Sequence, residues 1–347
     1  MNKKLLIAAV GAALVAGPML AAHAAPTVYG KFNVGIAAVD NGNSADGDTL
    51  GVTDDSSRLG VKGDEDLGGG LKAVYGMELT YDADGNKGVS LDVADAGGGA
   101  TLTGSRSVYV GLAGSWGRVR AGHFQTYYKK IQFPAEIMGD SIADWSTNGW
   151  QGDTRIANAI GYDSPNWSGF VFGVETQRGE TGTATETNPT TIAASFTAGP
   201  FYIGVGFEDR DNQTTTGLDK TNKVVATFDI DAFKIVAAMQ TQDALGGSTE
   251  VDTTVLGGQF SFGNNAVLVT FAQHDSSVAN ADCDQTSVGF AHKLSKMTTV
   301  RGIYSSIDNE SAAACQGRMI GAAGLALGAP TAGSDPSGFQ AQIVLNF

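Results

Sequence analysis

Cysteine is almost missing from this 347-residue chain, which has two. That excludes a mini-protein built on a disulfide framework. Charge is also sparse, at 17 %, and the basic sign is the scarcer one: 22 Lys and Arg against 36 Asp and Glu. A nucleic-acid binder needs a basic face, so that class is excluded as well. Past the first twenty-odd residues there is no apolar run long enough for a transmembrane helix, which needs about 20 residues. Mean hydropathy is −0.05, far from that of a helical membrane protein. Histidines number four, and no H-x-x-x-H, C-x-x-C, P-loop, G-x-S-x-G or dinucleotide pattern occurs. No metal, no cofactor and no catalytic set of nucleophile, base and orienter is therefore expected.

What is present is glycine, 48 residues, about twice average usage. Hydrophobic residues make up 42 %, too many for a wholly disordered chain. The N-terminus reads as an export signal covering residues 1–24. Lys3 and Lys4 form a positive start, Leu5 to Val15 an uncharged apolar core, Gly17 and Pro18 a break. Ala22-His23-Ala24 then fits the small-x-small cleavage rule, making Ala25 the first mature residue. Residues 25–347 are expected to form one domain with no linker.

Along that domain the hydrophobic period is two. Phe339, Ala341, Ile343, Leu345 and Phe347 alternate with Gln340, Gln342 and Asn346. A helix would scatter these residues, whereas a strand puts them on two faces. Phe201, Ile203, Val205 and Phe207 repeat the pattern, as do Val224 to Ile230, Phe233 to Met239, Val28 to Ile36 and Leu71 to Leu79. Seven tight connections, at Leu67–Gly70, Ser115–Gly117, Asn166–Gly169, Gly199–Pro200, Asp231, Gly263–Asn265 and Ser295–Lys296, alternate with eight long polar ones. The long ones are Asp40–Asp55, Ala83–Gly104, Gln125–Asp153, Gly179–Asn188, Asp211–Lys220, Asp243–Glu250, Ser276–Asp284 and Asp308–Ser337. Fifteen connections join sixteen strands and leave both termini on the short-turn side. This is the plan of an all-β, 16-stranded antiparallel transmembrane barrel with short periplasmic turns and long external loops.

Aromatic residues test that plan separately. Trp116, Trp167, Phe201, Phe233 and Phe262 sit at or beside the short turns, and Phe347 ends the chain on the same side. Amphipathic rings are stable at headgroup level, so a membrane barrel carries such a girdle. A water-soluble sandwich or propeller would explain the alternation but not the signal, the loop asymmetry and the girdle together.

Short motifs in order along the chain carry a family resemblance. They are Thr27-Val28-Tyr29-Gly30-Lys31-Phe32, then Ser57 to Gly68 (SRLGVKGDEDLG), Val110-Gly111-Leu112, Gly117-Arg118-Val119-Arg120-Ala121-Gly122, Tyr162-Asp163-Ser164-Pro165 and the terminal Phe347. The whole mature chain resembles the general-diffusion porins of Gram-negative bacteria, neisserial and burkholderial types above all. The resemblance implies an outer-membrane homotrimer in contact with lipid and lipopolysaccharide. It implies a third loop folded inward and passive flow of ions and small hydrophilic solutes. It also implies that Phe347 is the signal read by the barrel-assembly machinery. In Gln125–Asp153, which matches the inward loop, Glu136, Asp140 and Asp144 are the expected acidic wall of the constriction.

Strand parity supplies the basic wall. Val119 and Ala121 face lipid, so Arg118 and Arg120 face the lumen. By the same reasoning Arg58, Lys62, Lys72 and Lys31 point inward, and Arg155, just after the third loop, joins them. An Arg at the bilayer midplane on the lipid face would cost about 2–4 kcal/mol. Acids facing bases across a neck set a transverse field, but the sign of ion selectivity stays open. A substrate-selective channel on the same barrel, or an outer-membrane enzyme or adhesive protein, are the other readings. Cys283 and Cys315 lie in loops separated by one hairpin. They are expected to pair across the external rim, the alternative being two unbonded loop thiols.

Overall fold

The computed structural model describes residues 25–43, 49–81, 83, 105–147, 155–179, 188–210, 218–244, 249–319 and 329–347. The expected signal at 1–24 lies outside them, as do nearly all of the loop Ala83–Gly104 and parts of the other long connections.

Within the described residues the chain is one antiparallel sheet closed on itself. β1 (Thr27–Asp40) pairs with β17 (Ser337–Asn346) from Lys31↔Asn346 to Asp40↔Ser337. Gly30 and Phe347 extend that seam, exchanging backbone N–H···O bonds of 2.9 and 3.1 Å. Between them run β2 (Thr49–Asp54), β3 (Arg58–Gly68), β4 (Leu71–Thr80), β5 (Ser105–Gly114), β6 (Gly117–Gln125), β7 (Arg155–Asp163), β8 (Phe170–Gln177) and β9 (Thr190–Ala198). The wall continues with β10 (Phe201–Asp209), β11 (Leu218–Ile230), β12 (Phe233–Ala244), β13 (Glu250–Phe262), β14 (Asn265–Ser276), β15 (Cys283–Lys293) and β16 (Thr298–Asn309). β2 and β3 both pair with β1 and act as one interrupted stave, so the seventeen segments build a sixteen-strand barrel. Among the described residues every strand but β2, which pairs with β1 alone, is bonded on both sides, as a sheet in hydrocarbon requires.

Among the described residues the interruption is the main departure from the expected strand plan. Sequence placed Asp40–Asp55 in a long loop, yet Thr49–Asp54 pairs with Val34–Val39. Only Leu50 and Val52 mark its lipid face, and glycine and aspartate flank them, so the pattern is too short to read. Ser56, at φ +67°, ends the segment. There Asn33 and Ser57 replace the ladder: Asn33 N donates to Ser57 Oγ at 3.0 Å, and Asn33 Nδ2 to Asp55 O at 2.8 Å.

The outer face carries the alternating apolar residues, Phe201, Ile203, Val205 and Phe207 among them, all exposed. Near the short turns the rings cluster, Phe201 with Phe228 at 4.6 Å and Phe233 with Phe260 at 4.8 Å. Phe347 packs on Phe32 at 5.9 Å in the same band.

The inner face differs from a simple polar lining. Val225, Val236, Val255, Leu268, Ile303 and Ile307 are buried although they point into the lumen. The segment after β6 covers them. Trp145 and Ala135 pack against Val225, Val236, Ala238 and Val255. Met138, Ile142 and Ala143 pack against Leu268, Ile303 and Ile307. Tyr128 and Ile131 pack against Ala193. Gly204 and Gly206, on the inward parity of β10, make room for this: a Cβ there would stand 2.8 Å from Ile131 Cβ and 2.6 Å from Tyr128 Cδ2. The third loop is thus folded inward on an apolar seat.

Candidate functional site

The inward loop starts with a capped turn. Thr126 Oγ1 accepts from Lys129 N at 3.1 Å and opens α1 (Tyr127–Lys130). Wall side chains then bind the loop's polar groups. Tyr202 Oη donates to Ile131 O at 2.8 Å, and Gln240 Nε2 to Tyr128 Oη at 3.1 Å. Lys223 Nζ donates to Gln132 Oε1 at 2.5 Å and stands 4.0 Å from the Tyr128 ring centre. Burial, then the nearby Arg120 charge, pulls the Lys130 ammonium down to about 8.

The loop tip is Asp140, in left-handed backbone at φ +53°. Its carbonyl accepts from Asn33 Nδ2 at 2.8 Å, Arg301 Nη2 at 3.0 Å and Gln342 Nε2 at 3.2 Å. Its carboxylate meets Lys31 Nζ at 2.7 Å, Arg58 Nη1 at 3.6 Å and Arg318 Nη1 at 4.0 Å. Burial alone would push that carboxyl up, but the Lys31, Arg318 and Arg58 charges outweigh it and hold the group well below the usual carboxylate range. Asp144 accepts from Asp140 N at 3.0 Å and faces Arg318 at 3.8 Å.

Between this loop and the β3–β7 wall lies a cavity of about 420 Å³. Arg58, Arg106, Arg155, Lys129 and Arg318 line it together with Glu78, Glu136, Asp140 and Asp144. Arg106 Nε donates to Glu78 Oε1 at 2.7 Å, and Gln132 Nε2 to Glu136 Oε1 at 2.6 Å. The geometry is a cavity with charged groups of both signs across it.

Of the residues expected there, Arg58, Arg155, Glu136, Asp140 and Asp144 line the cavity, and Lys31 stands directly behind Asp140. Four others are elsewhere. Arg118 is bonded to Asp163. Arg120 is enclosed, 3 % exposed, between Asp163 at 3.4 Å and Glu175 at 3.3 Å, over the Phe124 ring. Lys62 lies over Tyr29, and Lys72 pairs with Asp64 in solvent. Parity does point these four inward, but depth along the strand and local acids decide what they meet.

Four further cations, Arg106, Lys129, Arg301 and Arg318, stand here outside the sequence expectation. Arg106 shares parity with the lipid-facing Val108 and Val110, but the register slips between Glu78↔Ser107 and Leu79↔Ser105. That bulge turns Arg106 inward. Arg301 follows inward parity on β16, a signal blurred by the apolar inward Ile303. Lys129 and Arg318 stand in loops, where no periodicity applies. Cys283 and Cys315 are joined by a disulfide, Cα–Cα 6.5 Å. Among the described residues no group of three or more His, Cys, Asp or Glu is arranged to hold a metal ion.

Comparison with known proteins places this geometry. The Gram-negative porin family profile matches residues 7–312. The major outer membrane protein P.IB of Neisseria meningitidis serogroup B is 28 % identical, the match covering 86 % of this chain and 91 % of that one. Outer membrane porin protein 32 of Delftia acidovorans is 27 % identical over 98 % of this chain and 99 % of its own. Among solved structures, an anion-selective porin from Comamonas acidovorans superposes with a TM-score of 0.75 at 23 % identity, covering 93 % of this chain and 99 % of that one. OmpT of Vibrio cholerae in a trimer form gives 0.65 at 14 %, covering 93 % and 100 %.

Proposed function

The chain belongs to the Gram-negative porins, and from that premise we propose how its pore discriminates. It is an outer-membrane porin through which solutes diffuse, a kind of protein that is a channel rather than an enzyme. We infer that the neck between the third loop and the β3–β7 wall is its filter and that it prefers small hydrophilic anions.

One observation carries this reading: five cationic side chains face four carboxylates in the cavity, although the whole chain has a net charge of −14. Lys31 and Arg301 add two more cations behind the Asp140 tip. Permeating ions respond to the charges at the narrowest point, where low-dielectric walls focus the field, more than to the total. The Comamonas acidovorans relative, described as anion-selective, agrees in sign. Acids and bases on opposite walls orient dipolar solutes and disfavour apolar ones. The assembled form in this reading is a homotrimer in outer-membrane lipid and lipopolysaccharide, delivered by the barrel-assembly machinery through Phe347.

Reversal potentials of the refolded protein in planar bilayers under a KCl gradient test the proposal. Native protein should favour chloride, and Arg58→Gln with Arg155→Gln should shift the potential toward cations. An unchanged potential in the folded variant would move the filter elsewhere. Saturable block by a single sugar, phosphate or carboxylate would instead identify a substrate-selective channel.

A further inference from the structure

Arg318 belongs neither to the wall nor to the third loop. It stands on the turn Gly317–Met319 of the last long connection, yet its guanidinium lines the neck. There it lies 3.8 Å from Asp55, 3.8 Å from Asp144 and 4.0 Å from Asp140, and donates to Ser56 Oγ at 3.3 Å. Three carboxylates from two chain segments, Asp55 beside β2 and Asp140 with Asp144 in the third loop, therefore converge on one cation brought from the last long connection.

Three residues before it, Cys315 is bonded to Cys283, the first residue of β15. Asn309, at the end of β16, fixes the same point: its Oδ1 accepts from Cys315 N at 2.9 Å and its Nδ2 donates to Cys315 O at 3.0 Å. Met319, on the other side, is buried among Met138, Ile142 and Ile307. We propose that Arg318 is a selectivity-determining residue of the pore and that the Cys283–Cys315 disulfide is the tether that holds it there. The inference rests on the chain being a conducting porin.

The charge argument is direct. Asp140 keeps Lys31 and Arg58 if Arg318 leaves, but Asp55 and Asp144 lose the cation closest to them among the described ion pairs. Negative charge at Asp144, which lines the cavity, then faces the permeating ion, with buried Asp55 behind it. The tether argument is one of reach. From the bonded Cys315, Arg318 is three residues away, about 10 Å of extended chain; from Asn309 it is nine, about 30 Å. A longer leash spreads the guanidinium over a larger volume and lowers its time in the neck. Met319 packing and the two Asn309–Cys315 hydrogen bonds retain part of the population, so loss of the tether should act less strongly than loss of the charge.

The experiment uses the full refolded protein in planar bilayers under a KCl gradient. Arg318→Gln should lower the chloride-to-potassium permeability ratio severalfold, and Arg318→Lys should restore most of it. Dithiothreitol, giving two electrons and two protons to the sulfurs and closing to its own disulfide, should move native protein in the same direction by less. Alkylation and mass spectrometry verify the cleavage, and Cys283→Ser with Cys315→Ser should reproduce the shift. The reagent should have no effect on Arg318→Gln. An unchanged ratio in Arg318→Gln overturns the role of Arg318. An unchanged ratio in fully reduced native protein, or an equal shift in reduced Arg318→Gln, overturns the tether. Should Arg318→Gln fail to fold, reduction of the folded native protein still decides the matter. Absence of any conductance in native protein would instead defeat the channel reading itself.

Discussion

Asp140 acts through two separate groups. Its carbonyl anchors the third-loop tip to Asn33, Arg301 and Gln342, while its carboxylate neutralises Lys31 and Arg58. Asp140→Asn keeps the first and removes the second, so the loop should stay docked and the chloride preference should rise. The native carboxyl is held below the ordinary range, about 3.9 for a free Asp. A lowered folded pKa means stability that is present above the unfolded value and lost as pH falls through the folded one. The Asp140 share of native selectivity should therefore persist at pH 4, where an unpaired carboxyl is half protonated. A pH 4 reversal potential equal to that of Asp140→Asn would contradict this. Arg120 illustrates the opposite case. Enclosed with Asp163 and Glu175, it braces the wall beneath α1. Arg120→Gln takes the cation from buried Glu175, while Asp163 keeps Arg118 and Lys130; it should cost about 3–5 kcal/mol, read as a lower unfolding temperature in detergent, with little change in selectivity.

At the scale of elements, the third loop is held by an apolar seat that cuts across strand alternation. Gly204 and Gly206 lie at inward positions of β10 because Ile131 and Tyr128 press on them. Gly206→Val overpacks that contact, for which about 1–3 kcal/mol is typical. The loop should lift while the closed ladder stays intact, giving larger, noisier single-channel currents with a nearly unchanged barrel melt. Trp145→Ala empties the seat on Val225, Val236 and Val255. A cavity of that kind costs about 3–5 kcal/mol and should produce the same noise by the opposite packing error. Quiet native-like currents in both variants would show that the seat does not hold the loop. The sequence expectation took Val224–Ile230 and Phe233–Met239 as simple alternation, although Val224-Val225-Ala226, Ile235-Val236-Ala237-Ala238 and Val267-Leu268-Val269 are unbroken apolar runs, the mark of strands covered on both faces. Which segment covers them was not legible, since the covering residues lie far away in sequence.

For the molecule as a whole, Phe347 completes the closure and is also the proposed assembly signal. Phe347 exchanges two backbone bonds with Gly30 at the seam and packs on Phe32. Removing Phe347 should reduce assembled protein in the outer membrane, measured by surface proteolysis and heat-modifiable gel mobility. Normal assembly of the truncated chain would leave Phe347 with a packing role alone. N-terminal sequencing of the membrane-extracted protein should begin at Ala25, and size-exclusion chromatography with light scattering should give three copies per particle.

The amino-acid sequence by itself determined the barrel: strand number, faces, turn side and girdle follow from a period of two and from connection lengths, all local quantities that a lipid surround enforces residue by residue. It named ten charged residues for the constriction, of which Arg58, Arg155, Glu136, Asp140 and Asp144 line one cavity with Lys31 behind Asp140. Only the tertiary structure decided that Arg118 and Arg120 are enclosed by Asp163 and Glu175, that a bulge turns Arg106 inward, that Thr49–Asp54 is wall rather than loop, and that Arg318 reaches the neck. Parity states which face a side chain takes but neither its depth nor its partner. Those depend on register, bulges and loop paths, which are set by contacts between segments more than a hundred residues apart.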